Sequence, residues 1–257
     1  MAERCPEEFV AFAHRLADRS GEVIRQYFRQ RFAVESKADE SPVTIADREA
    51  ERTLRAMIAD VYPDHGVIGE ELGAHNDGAS LTWILDPIDG TGSFITGKPI
   101  FGTLIALWRD GRPLLGVIDQ PISGERWIGA VGHGTTLNGT AVRVRACGGL
   151  DEAFLDATDP HMFEDAPAFE TLRRQVARNR WGSDCYAYAM LASGHLDLVV
   201  ERKLKLWDYA TLVPIIEEAG GIISDWRGRP LRPGAAGDVL AAGDVRVHQQ
   251  AREILGS

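Results

Sequence analysis

Apolar positions between residues 6 and 31 recur at helical spacing, with Phe9, Phe12, Ala13, Leu16, Ala17, Ile24 and Phe28 on one face and charged residues between them. That stripe predicts a long amphipathic helix, with Gly21 as its weakest point. A short strand is expected over residues 32–36. Thr44 as N-cap and Asp47 three residues on then open a second helix, which carries Leu54, Met57, Ile58 and Val61 on one side. From about residue 66 the rhythm shortens to strand-like runs at 67–68, 83–85, 104–108, 114–118 and 126–131. Asp110-Gly111 and Ser123-Gly124 separate the last three, which predicts an antiparallel meander. Beyond residue 150 strands (153–155, 196–200, 222–223) alternate with helices (166–178, 184–193, 208–219). A division near Gly148-Gly149 is therefore expected, with an α+β part over residues 1–148 and an α/β part over 149–257.

Composition narrows the function classes. With 257 residues, 44% apolar and 26% charged, the chain can bury a core of its own, so disorder is excluded. Its 38 acidic residues outnumber 28 basic ones for a net charge of −10, and the basic residues are scattered. Nucleic acid and membrane surfaces are thus not expected partners. No apolar run approaches membrane-spanning length and the first residues are acidic, so a cytoplasmic location is expected. Cys5, Cys147 and Cys185 form no C-x-x-C pair and read as free thiols, and the seven histidines form no zinc-hydrolase motif.

The segment Trp83-Ile84-Leu85-Asp86-Pro87-Ile88-Asp89-Gly90-Thr91-Gly92-Ser93 delivers two carboxylates, three apart, from an apolar strand into a Gly-rich turn. Hard divalent cations take such oxygen ligands, and the Ile88 carbonyl lies between the two acids. A helix starting after Gly90-Thr91 would aim free N–H groups at an anion, so metal and phosphate could meet at one turn. The same residues also suit an ordinary turn, in which Asp86 caps and Asp89-Gly90 closes. Asp47, Glu70 and Asp208 add acids at other element ends, where each also has a plain reading as a cap, a solvated acid or a first-turn acid.

Together, S-P-V-T-x-A-D (41–47), G-E-E (69–71), W-I-L-D-P-I-D-G-T (83–91) and W-D (207–208) resemble the Mg²⁺-dependent inositol monophosphatase-like superfamily, over nearly the whole chain. The resemblance implies a layered αβαβα sandwich, usually a homodimer, that hydrolyses small phosphate monoesters. It implies Glu70, Asp86, the Ile88 carbonyl, Asp89 and Asp208 as ligands of two or three Mg²⁺ ions, with Mn²⁺ as a substitute. Asp47 and Thr91, with Glu70, match the positions that place and activate the attacking water, and the N–H groups of Gly90 and Thr91 match the phosphate cradle. Clustered acids would repel one another without metal, so activity should depend on it absolutely.

Within that superfamily, Gly182-Ser183-Asp184-Cys185-Tyr186-Ala187-Tyr188 and Leu204-Lys205-Leu206-Trp207-Asp208 resemble the histidinol-phosphate phosphatase branch. Histidinol phosphate carries a cationic amine, with which Asp184 and Glu201 could pair beside Asp89 and Asp208. On local grounds Asp184 also reads as a helix cap and Glu201 as a solvent-facing acid, and both pairs of readings stay open. Tyr186, Tyr188 and residues 156–163 could shape an imidazole pocket, but aromatic residues at this spacing are more often core or interface packing, and they are left out of the site. The competing functions are an inositol-1-monophosphatase, a broad sugar-phosphate phosphatase, or a regulatory RNA- or protein-binding member of the same fold.

Overall fold

The computed structural model describes residues 3–30, 35–36 and 42–256. Helix α1 (Glu7–Tyr27) precedes a small antiparallel pair, β1 (Glu35–Ser36) and β2 (Pro42–Val43), and helix α2 (Ile45–Val61). There follow β3 (Gly66–Gly69), β4 (Gly73–His75), β5 (Leu81–Asp89), α3 (Thr91–Ile95), β6 (Gly102–Arg109), β7 (Arg112–Gln120), β8 (Glu125–Ala130), β9 (Gly134–Leu137) and β10 (Thr140–Val142). The remainder is β11 (Phe154–Ala157), α4 (Pro167–Arg173), β12 (Arg178–Trp181), α5 (Asp184–Ala192), β13 (Leu198–Glu201), α6 (Leu206–Tyr209), α7 (Leu212–Glu218), β14 (Ile222–Asp225), β15 (Val239–Ala242) and α8 (Val245–Leu255).

One sheet runs β10-β9-β8-β7-β6-β5-β3-β4 and is antiparallel except where β3 joins β5. The other runs β12-β11-β13-β15-β14, with β11 parallel to both its neighbours. Side chains alternate between layers, as strand geometry requires. Trp83 and Leu85 pack with Phe12 and Leu16 of α1, whereas Ile84 packs with Leu191 of α5 and Ile215 of α7. In the second sheet Val199 and Ala241 face that same middle layer, while Leu198, Val200 and Leu240 face Phe169 of α4 and Val247 of α8. The layers are therefore α1 and α2, the eight-stranded sheet, α5 to α7, the five-stranded sheet, then α4 and α8. This is an αβαβα sandwich, and its double coverage explains why the strand runs are continuously apolar instead of alternating with polar residues.

Thr44 and Asp47 form the expected capping box, and β6 to β8 form the expected meander. The first helix is shorter than its apolar stripe, and of the expected strand at 32–36 residues 32–34 lie outside the described residues. Two helices need correction. The one expected over 166–178 stops at Arg173, and Arg178-Asn179-Arg180-Trp181, which lacks an apolar period, pairs as an edge strand with β11. The one expected over 208–219 is split into α6 and α7. Pro214 has no N–H to donate to the Ala210 carbonyl, which accepts instead from Trp108 Nε1 at 3.0 Å. No helix among the described residues is long and apolar enough to cross a membrane.

Candidate active site

The chemistry-bearing end of β5 is built on a register change. Asp86 pairs with Leu104 of β6, but the next pairing sets Asp89 opposite Gly102, so three steps on β5 face two on β6. In a regular strand, residues three apart project to opposite faces. The extra residue of this bulge turns both carboxylates the same way. Pro87 occupies the bulge, where no ladder N–H is needed, and its carbonyl accepts from Thr103 Oγ1 at 2.8 Å. The Ile88 N–H donates to Asp86 Oδ1 at 3.1 Å. Asp208 arrives from the first turn of α6, where its Oδ2 accepts the Lys205 N–H at 2.7 Å. One carboxylate oxygen each from Asp86, Asp89 and Asp208 then lie within 4.8 Å of one another.

Two more acids close on this group. The Glu70 N–H donates to the Leu85 carbonyl at 3.1 Å, and its carboxyl lies near enough to that of Asp86 to help raise the Asp86 pKa. Asp47 is buried at the start of α2; its Oδ2 accepts the Thr44 N–H at 2.9 Å and the Thr44 hydroxyl, while its Oδ1 has no partner. Thr91 Oγ1 donates to the Ile88 carbonyl at 3.1 Å and not to Asp47.

Gly90 opens α3 at φ +83°, and a Cβ there would lie 2.7 Å from Asp184 Oδ2, so position 90 has room only for glycine. Asp184 does not cap its helix: it is the first helical residue, and its Oδ2 accepts from Ser93 Oγ at 2.8 Å across the site. Nor does Glu201 face solvent. It is buried at the end of β13, where its Oε1 accepts the Thr158 N–H at 2.9 Å and the Thr158 hydroxyl at 2.6 Å. Asp89, Asp184, Glu201 and Asp208 line one cavity of about 100 Å³, together with Tyr188. Tyr186 packs on Trp127 as expected, but Tyr188 presents a buried hydroxyl with no partner and so belongs to the cavity. Of the two readings the sequence left for Tyr188, pocket or packing, the cavity lining carries the first, whereas Glu51 has no local mark in the sequence because burial on a helix face leaves none.

The electrostatics follow from crowding. Burial pushes Asp86 well above the carboxylate range, aided by the charges of Glu70, Asp89 and Asp208. Asp89 is pushed up to about 7 by burial and then by Asp184, although the Cys185 N–H donates to its Oδ2 at 2.7 Å. Burial and Asp89 also push Asp208 well up, and burial lifts Glu201 to about 8. Asp184 and Asp47 are raised by burial too, each held back by the hydroxyl that donates to it. Converging acids of this kind are unfavourable without a counter-cation, and a set made of carboxylate oxygens alone suits a hard divalent ion. The residues therefore fit a magnesium-like ion.

The model of the inositol monophosphatase family matches residues 6–255. The chain is 50% identical to the bifunctional phosphatase IMPL2, chloroplastic, of Arabidopsis thaliana, over 97% of this chain and 75% of that protein. It is 40% identical to the histidinol-phosphatase of Chlorobaculum parvum, over 83% of this chain and 84% of that one. A solved inositol monophosphatase from Zymomonas mobilis superposes with a TM-score of 0.90 at 45% identity, over 98% of both chains. An acid cluster at a strand bulge in an αβαβα sandwich and these likenesses agree, and the chain belongs to the metal-dependent inositol monophosphatase family of phosphatases.

Proposed function

We propose that the protein hydrolyses L-histidinol phosphate to L-histidinol and inorganic phosphate, in histidine biosynthesis, with Mg²⁺ as its cofactor. The observation that carries this reading is the pair Asp184 and Glu201 on the wall of the cavity that Asp89 and Asp208 also line. Fixed acids beside a phosphate site suit a substrate whose amine is cationic, because a charge-assisted hydrogen bond is stronger than a neutral one. A relative named histidinol-phosphatase, 40% identical, supports the same substrate.

In this reading Glu70, Asp86, Asp89, Asp208 and the Ile88 carbonyl hold the ions. Bound there, Mg²⁺ neutralises phosphoryl charge and makes water nucleophilic at neutral pH. Thr91 and Asp47 orient the attacking water, and the raised pKa of Asp47 makes it a better proton acceptor than an ordinary aspartate. The N–H groups of Gly90 and Thr91 receive phosphoryl oxygens at the start of α3. Attack at phosphorus breaks the ester P–O bond, and the departing alkoxide takes up a proton as it becomes the alcohol of histidinol.

Inositol 1-phosphate is the second reading, favoured by the 45% identity with the Zymomonas mobilis inositol monophosphatase. Its hydroxyls offer neutral donors to the same two carboxylates. Phosphate release from both esters, side by side at equal low concentration with Mg²⁺, tests the choice. A kcat/KM at least about tenfold higher for histidinol phosphate is expected. Equal rates, or a preference for the inositol ester, would overturn the substrate assignment.

A further inference from the structure

One helical turn beyond Asp47, α2 carries another acid whose side chain is fully enclosed, Glu51. Its Oε2 accepts the Glu71 N–H at 2.7 Å, and its Oε1 accepts the Leu72 N–H at 3.2 Å and Arg55 Nε at 2.7 Å. The Arg55 guanidinium donates in turn to the Gly73 carbonyl. Acid and guanidinium, one turn apart on the same helix, thus grip the link between β3 and β4 at three successive backbone positions. Position 69 has to be glycine for this to happen, since a Cβ there would stand 2.1 Å from Glu51 Oε1. Glu70 lies between that close approach and the gripped residues, with its own N–H fixed to the Leu85 carbonyl one residue before Asp86. The backbone of Glu70 is therefore tied to β5 on one side and to the helix of Asp47 on the other.

We propose that Glu51 is a positioning residue for the metal site, holding Glu70 against Asp86 and in a constant relation to Asp47. The proposal rests on the reading of Glu70 as a metal ligand. Glu51 is suited to this and not to binding the ion itself, because a guanidinium and two N–H groups already occupy its oxygens. Groups that orient metal ligands typically govern affinity by 10- to 100-fold.

The test is titration calorimetry of chelator-treated protein with Mg²⁺ alone, for the wild type, Glu51→Gln and Asp197→Asn. Asp197 is a buried acid, well bonded and outside the site, so it reports what lost stability does by itself. Glu51→Gln is expected to raise the Mg²⁺ dissociation constant roughly 10- to 100-fold, with kcat at saturating Mg²⁺ within about threefold of wild type. Asp197→Asn is expected to bind Mg²⁺ as the wild type does. Should Glu51→Gln not fold, Glu51→Asp keeps the charge but shortens the reach, and the same loss of affinity is expected. Unchanged affinity in the folded Glu51 variant, or an equal loss in Asp197→Asn, overturns the positioning role. A wild-type protein that binds no Mg²⁺ overturns the metal reading of Glu70, and this inference with it.

Discussion

Asp197 and Asp86 are equally hidden, at 1% and 2% exposure, yet their surroundings are opposite. Arg145 meets both oxygens of Asp197, through Nε at 2.7 Å and Nη2 at 2.5 Å, and the Phe154 N–H adds a third bond at 2.8 Å. Asp119 is likewise matched by Arg126, and Glu51 by Arg55. Asp86 instead faces Glu70, Asp89 and Asp208, whose charges add to burial in raising its pKa. Among the described residues the fold thus ion-pairs Asp197, Asp119 and Glu51 with arginines, whereas no such ion pair reaches Asp86 or Asp89 at the end of β5. Since burying an unmatched charge is costly, that difference marks the β5 group as a place for a cation from outside the chain.

The largest effect that can break this comparison comes from Asp89→Asn. Activity should fall roughly 10³-fold, while the metal-free protein becomes more stable. The sign follows from the raised pKa: the folded value of about 7 exceeds the ordinary 3.8. The metal-free fold is therefore favoured by this group at low pH and loses that favour as pH rises through 7. Thermal unfolding in chelator at pH 8 should show Asp89→Asn melting above the wild type. The structural set should behave in the contrary way. Asp197→Ala is expected to cost about 2–3 kcal/mol in urea unfolding, less than a fully buried pair because Arg145 reaches solvent, and to leave kcat unchanged.

Smaller effects sharpen the comparison within the site. Asp184→Asn keeps an acceptor for Ser93 but removes the charge, so kcat/KM for histidinol phosphate should drop about 10- to 100-fold, with little change for inositol 1-phosphate. Smallest of all is the contribution of His248, buried with its Nε2 2.8 Å from Ser224 Oγ and its pKa lowered by burial and by Arg252. A histidine held neutral supports the fold above its ordinary pKa of 6.5 and withdraws that support as pH falls through the lowered value. In urea unfolding, the stability of the wild type relative to His248→Gln should fall modestly between pH 7.5 and 5.5.

What was legible in the chain was local. The Thr44–Asp47 capping box spans four residues and reads directly, as do the apolar strand and acids of 83–91. The gathering of Asp47, Glu70, Asp86, Asp89 and Asp208 was reached through the resemblance of their motifs, because no single spacing implies it. The bulge that turns Asp86 and Asp89 to one side depends on pairing with β6, which the β5 segment alone does not announce. Glu51 reads as a solvated helix position until Gly69 is known to lie against it. The helix at 245–255 is a different case. Asp244 caps it and Val247, Ala251 and Leu255 recur at helical spacing, so its signal was present and local.

The most direct test of the cation site at β5 is phosphate release from L-histidinol phosphate by chelator-treated protein, before and after Mg²⁺ is restored. No measurable turnover is expected in excess chelator, with full recovery on adding Mg²⁺. Appreciable turnover in excess chelator would contradict the cation site, because Asp86, Asp89 and Asp208 would then be working without the cation their mutual crowding calls for.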